Sequence, residues 1–209
     1  MNSIAFFLRN ELAENKFSSS VIAALNTPEI DSAILCSGFF QEDLSYSVSA
    51  AKISKISRCR HPLELTTVGY YKGGKASYAA FIAGVATHCC PSFVKHTPLR
   101  LPGDKWHAKV FIGKSQGKPV IAAIGSSNLT RRAFDTFKNF NYECDVLFWD
   151  ENNLAVSKAV AQALGEAPDE RMSVIVARVD ETHPINRVSV SDKLKQLEKE
   201  IREKSKAVI

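Results

Sequence analysis

The sequence predicts an α/β protein, a layered mixed β-sheet flanked by helices on both faces. Short apolar runs closed by turn residues alternate with longer stretches of helical spacing, the pattern of strand and helix layers. At 209 residues, with 45% hydrophobic and 23% charged residues, the chain can bury a proper core and has an ordinary globular composition. No stretch approaches the roughly 18 uninterrupted apolar residues of a membrane span, so the expectation is a soluble protein with no membrane contact.

Residues 2–26 place Phe6, Phe7, Leu8 and Leu12, then Val21, Ile22, Ala23, Ala24 and Leu25, between polar residues. They read as two short helices broken near residues 16–20. The run at 33–36 is short, apolar and closed by Gly38, which reads as a buried strand. Between residues 41 and 62, Ala50, Ala51, Ile53 and Ile56 fall near helical spacing, with Lys52, Lys55, Arg58 and Arg60 on other positions. Those cations suit either a solvated helix face or the basic rim of an anionic groove.

Residues 63–71 read as a second strand. Gly73 and Gly74 then turn the chain into an Ala-rich helix over 75–88, and a third strand follows at 92–99. From Trp106 to Thr130 two apolar runs flank a hairpin loop at 114–118. A short helix is expected at 130–137 and a strand at 143–149. On that strand Cys144, Val146 and Phe148 share one face, and Glu143, Asp145, Leu147 and Trp149 the other. A helix at 152–164, ended near Gly165, precedes a strand at 173–179. In the charged tail from Ser191, Leu194, Leu197, Ile201 and Val208 form a narrow seam, which either packs on its own domain or pairs with another helix.

The net charge of +5 permits an anionic partner without demanding one. The first apolar run, Ile4 to Leu8, is too short for a secretory signal and no basic residue precedes it, so the mature protein is expected to start near Met1. The five cysteines, Cys36, Cys59, Cys89, Cys90 and Cys144, are odd in number and lie mostly in or beside apolar runs. That favours buried thiols in a reducing cytoplasm. His88, Cys89, Cys90 and His96 lack the paired spacing of a zinc site, so no metal is expected there.

The chemistry concentrates in the hairpin. His107 and Lys109 are two residues apart and project from one face of a strand. With the loop at 114–118, His107 is expected opposite Gly125 and Lys109 opposite Ala123, which sets Ser126, Ser127 and Asn128 beside the imidazole. An ammonium, an amide, hydroxyls and the backbone N–H groups of a glycine-led turn suit an anion. An imidazole among them can attack phosphorus or carry protons near neutral pH. Glu143 is positioned to orient it, with Asp145 as the alternative. Trp106 is expected to pack beneath the site.

His107-x-Lys109, Gly125-Ser126-Ser127-Asn128 and Asn141-x-Glu143 together resemble the phospholipase D superfamily, with the best match to its short bacterial single-motif nucleases and metal-independent restriction enzymes. The resemblance implies a phospholipase D-like catalytic domain over residues 1–190, followed by a charged C-terminal helix at 191–209. It implies attack by the histidine on a phosphodiester, a covalent phosphohistidine, protonation of the leaving oxygen by a second histidine, and release by water without metal or cofactor. Carried over, His107 is the nucleophile, Lys109 and Asn128 clamp the phosphate, Ser126 adds a donor within the Gly125, Ser126, Ser127 binding turn, and Glu143 is the orienting acid.

The family's reaction uses two such motifs and this chain has one, which implies a homodimer sharing one active site. Nucleic acid, with DNA foremost, is the expected partner. A lipid phosphodiesterase and a silent nucleic-acid-binding module are the alternatives. Two departures stand out: Lys114 occupies the position where the superfamily often has an aspartate, and the loop to Gly125 is longer than the common pattern.

Overall fold

The computed structural model describes residues 2–9, 15–56, 61–70, 74–90, 92–103, 107–165 and 173–208. The first half runs β1 (Asn2–Arg9), α1 (Lys16–Leu25), β2 (Ser32–Cys36), the short strands β3 (Glu42–Asp43) and β4 (Tyr46–Ser47), α2 (Val48–Ala51), β5 (Leu63–Tyr70), α3 (Lys75–His88) and β6 (Val94–Leu101). The second half runs β7 (Lys109–Ser115), β8 (Lys118–Gly125), α4 (Arg131–Phe134), β9 (Glu143–Asp150), α5 (Leu154–Leu164), β10 (Val174–Arg178), α6 (Val190–Lys204) and β11 (Lys206–Ala207). Among the described residues, nine strands form one sheet in the order β10-β1-β9-β8-β7-β2-β5-β6-β11. β2, β5 and β6 are parallel neighbours and the other pairs are antiparallel.

The sheet is covered on both faces, as the alternation predicts. On the first, Phe17, Val21 and Leu25 of α1, Tyr78, Phe81 and Val85 of α3, and Val156 and Val160 of α5 pack on Leu35, Leu65, Phe111, Ala123 and Leu147. On the second, Leu194 and Ile201 of α6 pack on Ile34, Val68, Ile112 and Ala122. The tail helix therefore lies on its own sheet. It starts at Ser189, whose side chain accepts from the Asp192 N–H, and ends before Val208, which lies outside the seam and is exposed.

Residues 2–9 correct the expectation of a helix. They form β1, between β9 and β10. Ser3, Ala5 and Phe7 are buried, whereas Phe6 and Leu8 face out on the other side. Apolar residues at both parities hid the two-residue period, so the run looked helical. The expected break at 16–20 is instead the start of α1, where Asn15 accepts from the Ser18 N–H. The helix expected within 41–62 shrinks to α2 and a 3₁₀ turn, Ile53–Lys55, behind the β3–β4 hairpin. Lys52 there pairs with Asp135 at 2.9 Å.

The strands and helices expected at 33–36, 63–71, 75–88, 92–99, 143–149, 152–164 and 173–179 are present within two residues at each end. That expected at 130–137 is the single turn α4. The cysteine expectation holds for Cys36 and Cys89, which are buried, and fails for Cys90 and Cys144, which are exposed. Trp106, Leu12, Cys59, Arg58 and Arg60 lie outside the described residues.

Candidate active site

The hairpin closes more tightly than its sequence suggests. Gln116 and Gly117, both at positive φ (50° and 74°), make a two-residue turn. A register shift between Gly113 and Lys114 adds one residue on β8, where Pro119 cannot donate to the ladder. Both changes move the pairing: Lys109 lies opposite Gly125 and Phe111 opposite Ala123. The expected pairing of His107 with Gly125 is thus off by two residues, and His107 precedes β7 as an exposed residue. His107 and Lys109 make no hydrogen bond or ion pair with any described residue.

The end of β8 meets the start of β9 at Gly125 and Asp145. Only glycine fits here: a Cβ on residue 125 would sit 2.0 Å from Asp145 Oδ1. Asp145 is buried, and its carboxylate accepts from the Ser127 N–H at 3.1 Å and the Ser127 hydroxyl at 2.5 Å. Burial pushes the Asp145 carboxyl above its ordinary range, against the pull of these Ser127 hydrogen bonds, and nearby Glu143 pushes the same way as burial. Ser127 is therefore turned inward, its hydroxyl and N–H both spent on Asp145.

Ser126 is exposed. Its hydroxyl donates to Glu143 in a short contact and accepts from the Cys144 N–H at 3.0 Å, while Asn141 Nδ2 donates to the other Glu143 oxygen at 3.2 Å. Glu143 thus holds the turn through Ser126, and no hydrogen bond joins it to His107. The N–H groups of Ser126, Ser127 and Leu129 go to Cys144 O, Asp145 and Ser37 Oγ. These three N–H groups of the turn are therefore not free, because the ladder to β9 and the loop after β2 consume them; the Asn128 N–H has no acceptor among the described residues.

Asn128 is oriented by that loop. The Phe39 N–H donates to Asn128 Oδ1 at 3.1 Å, which fixes the amide so that Nδ2 turns away, without a partner among the described residues. Ser37 braces the same contact: its hydroxyl accepts from the Leu129 N–H, donates to Phe39 O and lies 3.3 Å from Asn128 Oδ1. A narrow cavity of about 20 Å³, lined in part by Lys109, Ser37, Gly125, Ser127 and Asp145, lies beneath. From the other side, Arg9 donates to the carbonyls of Arg132, Ala133 and Asp135 at 2.6–3.1 Å and stacks on Phe140 at 5.2 Å.

The structure therefore brings Lys109, Gly125, Ser126, Ser127, Asn128 and Glu143 to one end of the sheet, with His107 beside them. Lys109 Nζ, Asn128 Nδ2 and the His107 ring are the polar groups there without partners among the described residues. Together they can hold an anionic oxygen with two donors and offer it a nucleophile. Sequence reasoning missed Ser37, Phe39 and Arg9. The Ser-Gly step closing an apolar strand was a signal for the first two; Arg9 was hidden in the segment misread as helix.

Of the residues weighed for zinc, His88 ends α3 and His96 lies on β6. His96 is bonded to Thr67 Oγ1 at 2.7 Å, and burial pushes its pKa down to about 4. Cys89 is buried against Ile53 O. Among the described residues no group of three His, Cys, Asp or Glu side chains clusters.

No protein-family model and no curated protein matches the chain. Among solved structures it is similar to NucT from Helicobacter pylori, at 16% identity and a TM-score of 0.41 over 78% of this chain and 96% of that one. It is similar to the phosphatidylserine synthase of Haemophilus influenzae at 13% identity and 0.47, over 98% of this chain and 47% of that one. It is also similar to yeast tyrosyl-DNA phosphodiesterase, at 17% identity and 0.38, over 69% and 31% respectively. These structures are phospholipase D superfamily members, and the chain spans less than half the length of the latter two.

Proposed function

We propose that the chain is a metal-independent phosphodiesterase of phospholipase D type that cleaves nucleic acid. One observation supports the reading: Lys109, opposite Gly125, and Asn128, held through its Oδ1, carry donors without partners among the described residues at the end of the sheet where a buried carboxylate and a braced loop fix the turn, and His107 lies two residues before Lys109. Unspent polar groups on a rigid frame are what a preorganised anion site requires.

In this reading Lys109 and Asn128 clamp the non-bridging phosphate oxygens. A His107 ring nitrogen attacks phosphorus, the P–O bond to the leaving oxygen breaks, and that oxygen takes a proton from the partner subunit's His107. Water then attacks the phosphohistidine, gives its proton back to that second imidazole, and frees the phosphate end. One chain supplies one such imidazole, so the reaction calls for two copies about a two-fold axis. Glu143 acts on the turn through Ser126, a revision of its sequence-derived role as the acid that orients the imidazole.

The test is cleavage of DNA in excess EDTA by the wild type and by His107→Ala, with sedimentation of the same samples. The expected result is metal-independent cleavage by a dimer, lost in the variant. Loss of cleavage on chelation, or its survival in His107→Ala, overturns the proposal; an active monomer overturns the shared site.

A further inference from the structure

The cations around the candidate site are held in different ways. Arg9 is pinned on three backbone carbonyls, and Lys52 pairs with Asp135 at 2.9 Å. Arg131 has neither kind of partner. Its guanidinium lies 4.2 Å from the Phe137 ring centroid and 6.0 Å from that of Tyr46, and it makes no hydrogen bond or ion pair with any described residue.

Two ring contacts alone would make Arg131 a packing residue, since cationic side chains often lie along apolar surface. The hydrogen bonds of its neighbours argue for more. Asp135, four residues on, is the partner a helical arginine would ordinarily take, yet its carboxylate goes to Lys52 and to the Thr136 N–H. Glu42 accepts from the Ser49 N–H, and Asp43 accepts from the N–H groups of Ser45 and Tyr46. These acids are committed elsewhere, while the guanidinium keeps its donors.

Arg131 is also fastened to the frame that sets Asn128. Its backbone N–H donates to the Gln41 side chain at 3.0 Å, the Gln41 N–H donates to Leu129 O at 2.9 Å, and the Phe39 N–H donates to Asn128 Oδ1 at 3.1 Å. One short loop, 39–41, therefore holds both residues. Three peptide steps separate them, so their Cα atoms are at most about 11 Å apart. The seat of the guanidinium lies at the same end of the sheet: Phe137 follows Asp135, whose carbonyl accepts from Arg9 at 2.6 Å, and Arg9 ends β1 opposite Glu143.

We propose that Arg131 is a second phosphate contact, for a phosphate one or two steps along the strand from the one at Lys109 and Asn128, and that it makes the site favour a chain of phosphodiesters over a single one. The inference rests on the phosphate-site reading and deepens it. A planar guanidinium stacked on a ring is already ordered, so a phosphate meeting its edge gains paired charge-assisted hydrogen bonds with little further loss of freedom. A nucleic acid strand offers that second phosphate. A lipid with one phosphate leaves Arg131 unused.

Binding tests this separately from turnover. Fluorescence anisotropy of labelled decathymidylate is followed across a salt series on the His107→Ala protein, alone and with Arg131→Met or Arg131→Lys added. Arg131→Met is expected to weaken binding about tenfold and to make the logarithmic salt slope shallower by about 0.7, the loss of one phosphate contact on a single strand. Arg131→Lys keeps the charge and is expected to keep the slope. Thermal melts of both variants check the fold. An unchanged slope in Arg131→Met, or a slope that Arg131→Lys fails to restore, overturns the proposal. With His107 intact, Arg131→Met should lose about tenfold more in kcat/KM on decathymidylate than on bis(p-nitrophenyl) phosphate; equal losses would make Arg131 a structural residue and overturn it too. Turnover of bis(p-nitrophenyl) phosphate in EDTA by the wild type reports on the phosphodiesterase reading alone, so failure of one is distinguishable from failure of the other.

Discussion

Two of the polar clusters built into this sheet, one on each face, are wired in opposite ways. On the α6 face, Glu198 accepts from Lys114 Nζ and from Arg202 Nε, each at 2.8 Å, and Arg202 reaches Thr66 at 3.4 Å. That cluster closes on itself. At the end of the other face, Asp145 and Ser37 spend their hydrogen bonds on the loop from Gly125 to Leu129, while Lys109, Asn128 Nδ2 and His107 have no partner among the described residues. A closed network anchors; an open one presents groups to something that is not yet there. The difference also explains the departure at Lys114. Two bonded residues, Lys114 and Glu198, tie the tail helix to β7, so Lys114 belongs to the fold rather than to the chemistry.

The largest expected effect breaks the comparison at the open end. His107→Ala should reduce phosphodiester turnover by on the order of a thousandfold or more, with no change in melting temperature, because the ring is exposed and makes no bond with any described residue. Initial rates and a thermal melt on the same sample check both halves.

Next comes the support beneath it. Asp145→Ala strands the buried N–H and hydroxyl of Ser127, and should cost about 3 kcal/mol. Because the loop that carries Asn128 loses its brace, turnover by the folded fraction should fall too. Chemical denaturation with parallel activity measurements separates the two losses.

The closed cluster should behave in the reverse manner. Glu198→Ala leaves two cations without their shared anion, Lys114 with only 16% of its side chain exposed, and should cost about 2–3 kcal/mol. Turnover by the folded protein should be unchanged. Adding Lys114→Met should recover part of the stability, since an apolar pair can replace a buried ion pair. A loss of turnover in Glu198→Ala would break the division between the two faces.

The last effect is a slope. His96 is half-buried on Thr67, and this desolvation pushes its pKa down to about 4 from 6.5. Between those values the unfolded chain binds the proton and the folded chain does not, so stability rises with pH. The melting temperature should fall as pH is lowered from 6.5 to 4, and His96→Gln should flatten that part of the curve. An unchanged slope in the variant would show that other groups set it.

The strands that were easiest to read in the sequence are those with an unambiguous environment. Residues 33–36 are central and buried on both faces, and their continuous apolar run says so, while in 63–69 Leu63, Leu65 and Val68 are buried and only Glu64 is exposed. β1 was illegible because Ile4, Phe6 and Leu8 face one side and Ala5 and Phe7 the other, all apolar. The candidate site residues stand out in the sequence by their chemical types and spacing. Their wiring was not, since a shift at Gly113 and a tight turn at Gln116-Gly117 moved the register by two, and the partners of Asn128 come from 89 and 91 residues away. Long-range hydrogen bonds leave no local pattern in a chain.

The central claim is that His107 is the nucleophile of a phosphodiester cleavage. Rapid quench of the wild type into alkaline denaturant with end-labelled DNA in EDTA, followed by denaturing gel electrophoresis at neutral to alkaline pH, measures it directly. A labelled protein–DNA adduct should form in the wild type, be acid-labile as a phosphohistidine is, and be absent from His107→Ala. Cleavage without any such adduct, or an adduct that persists in His107→Ala, would contradict the account.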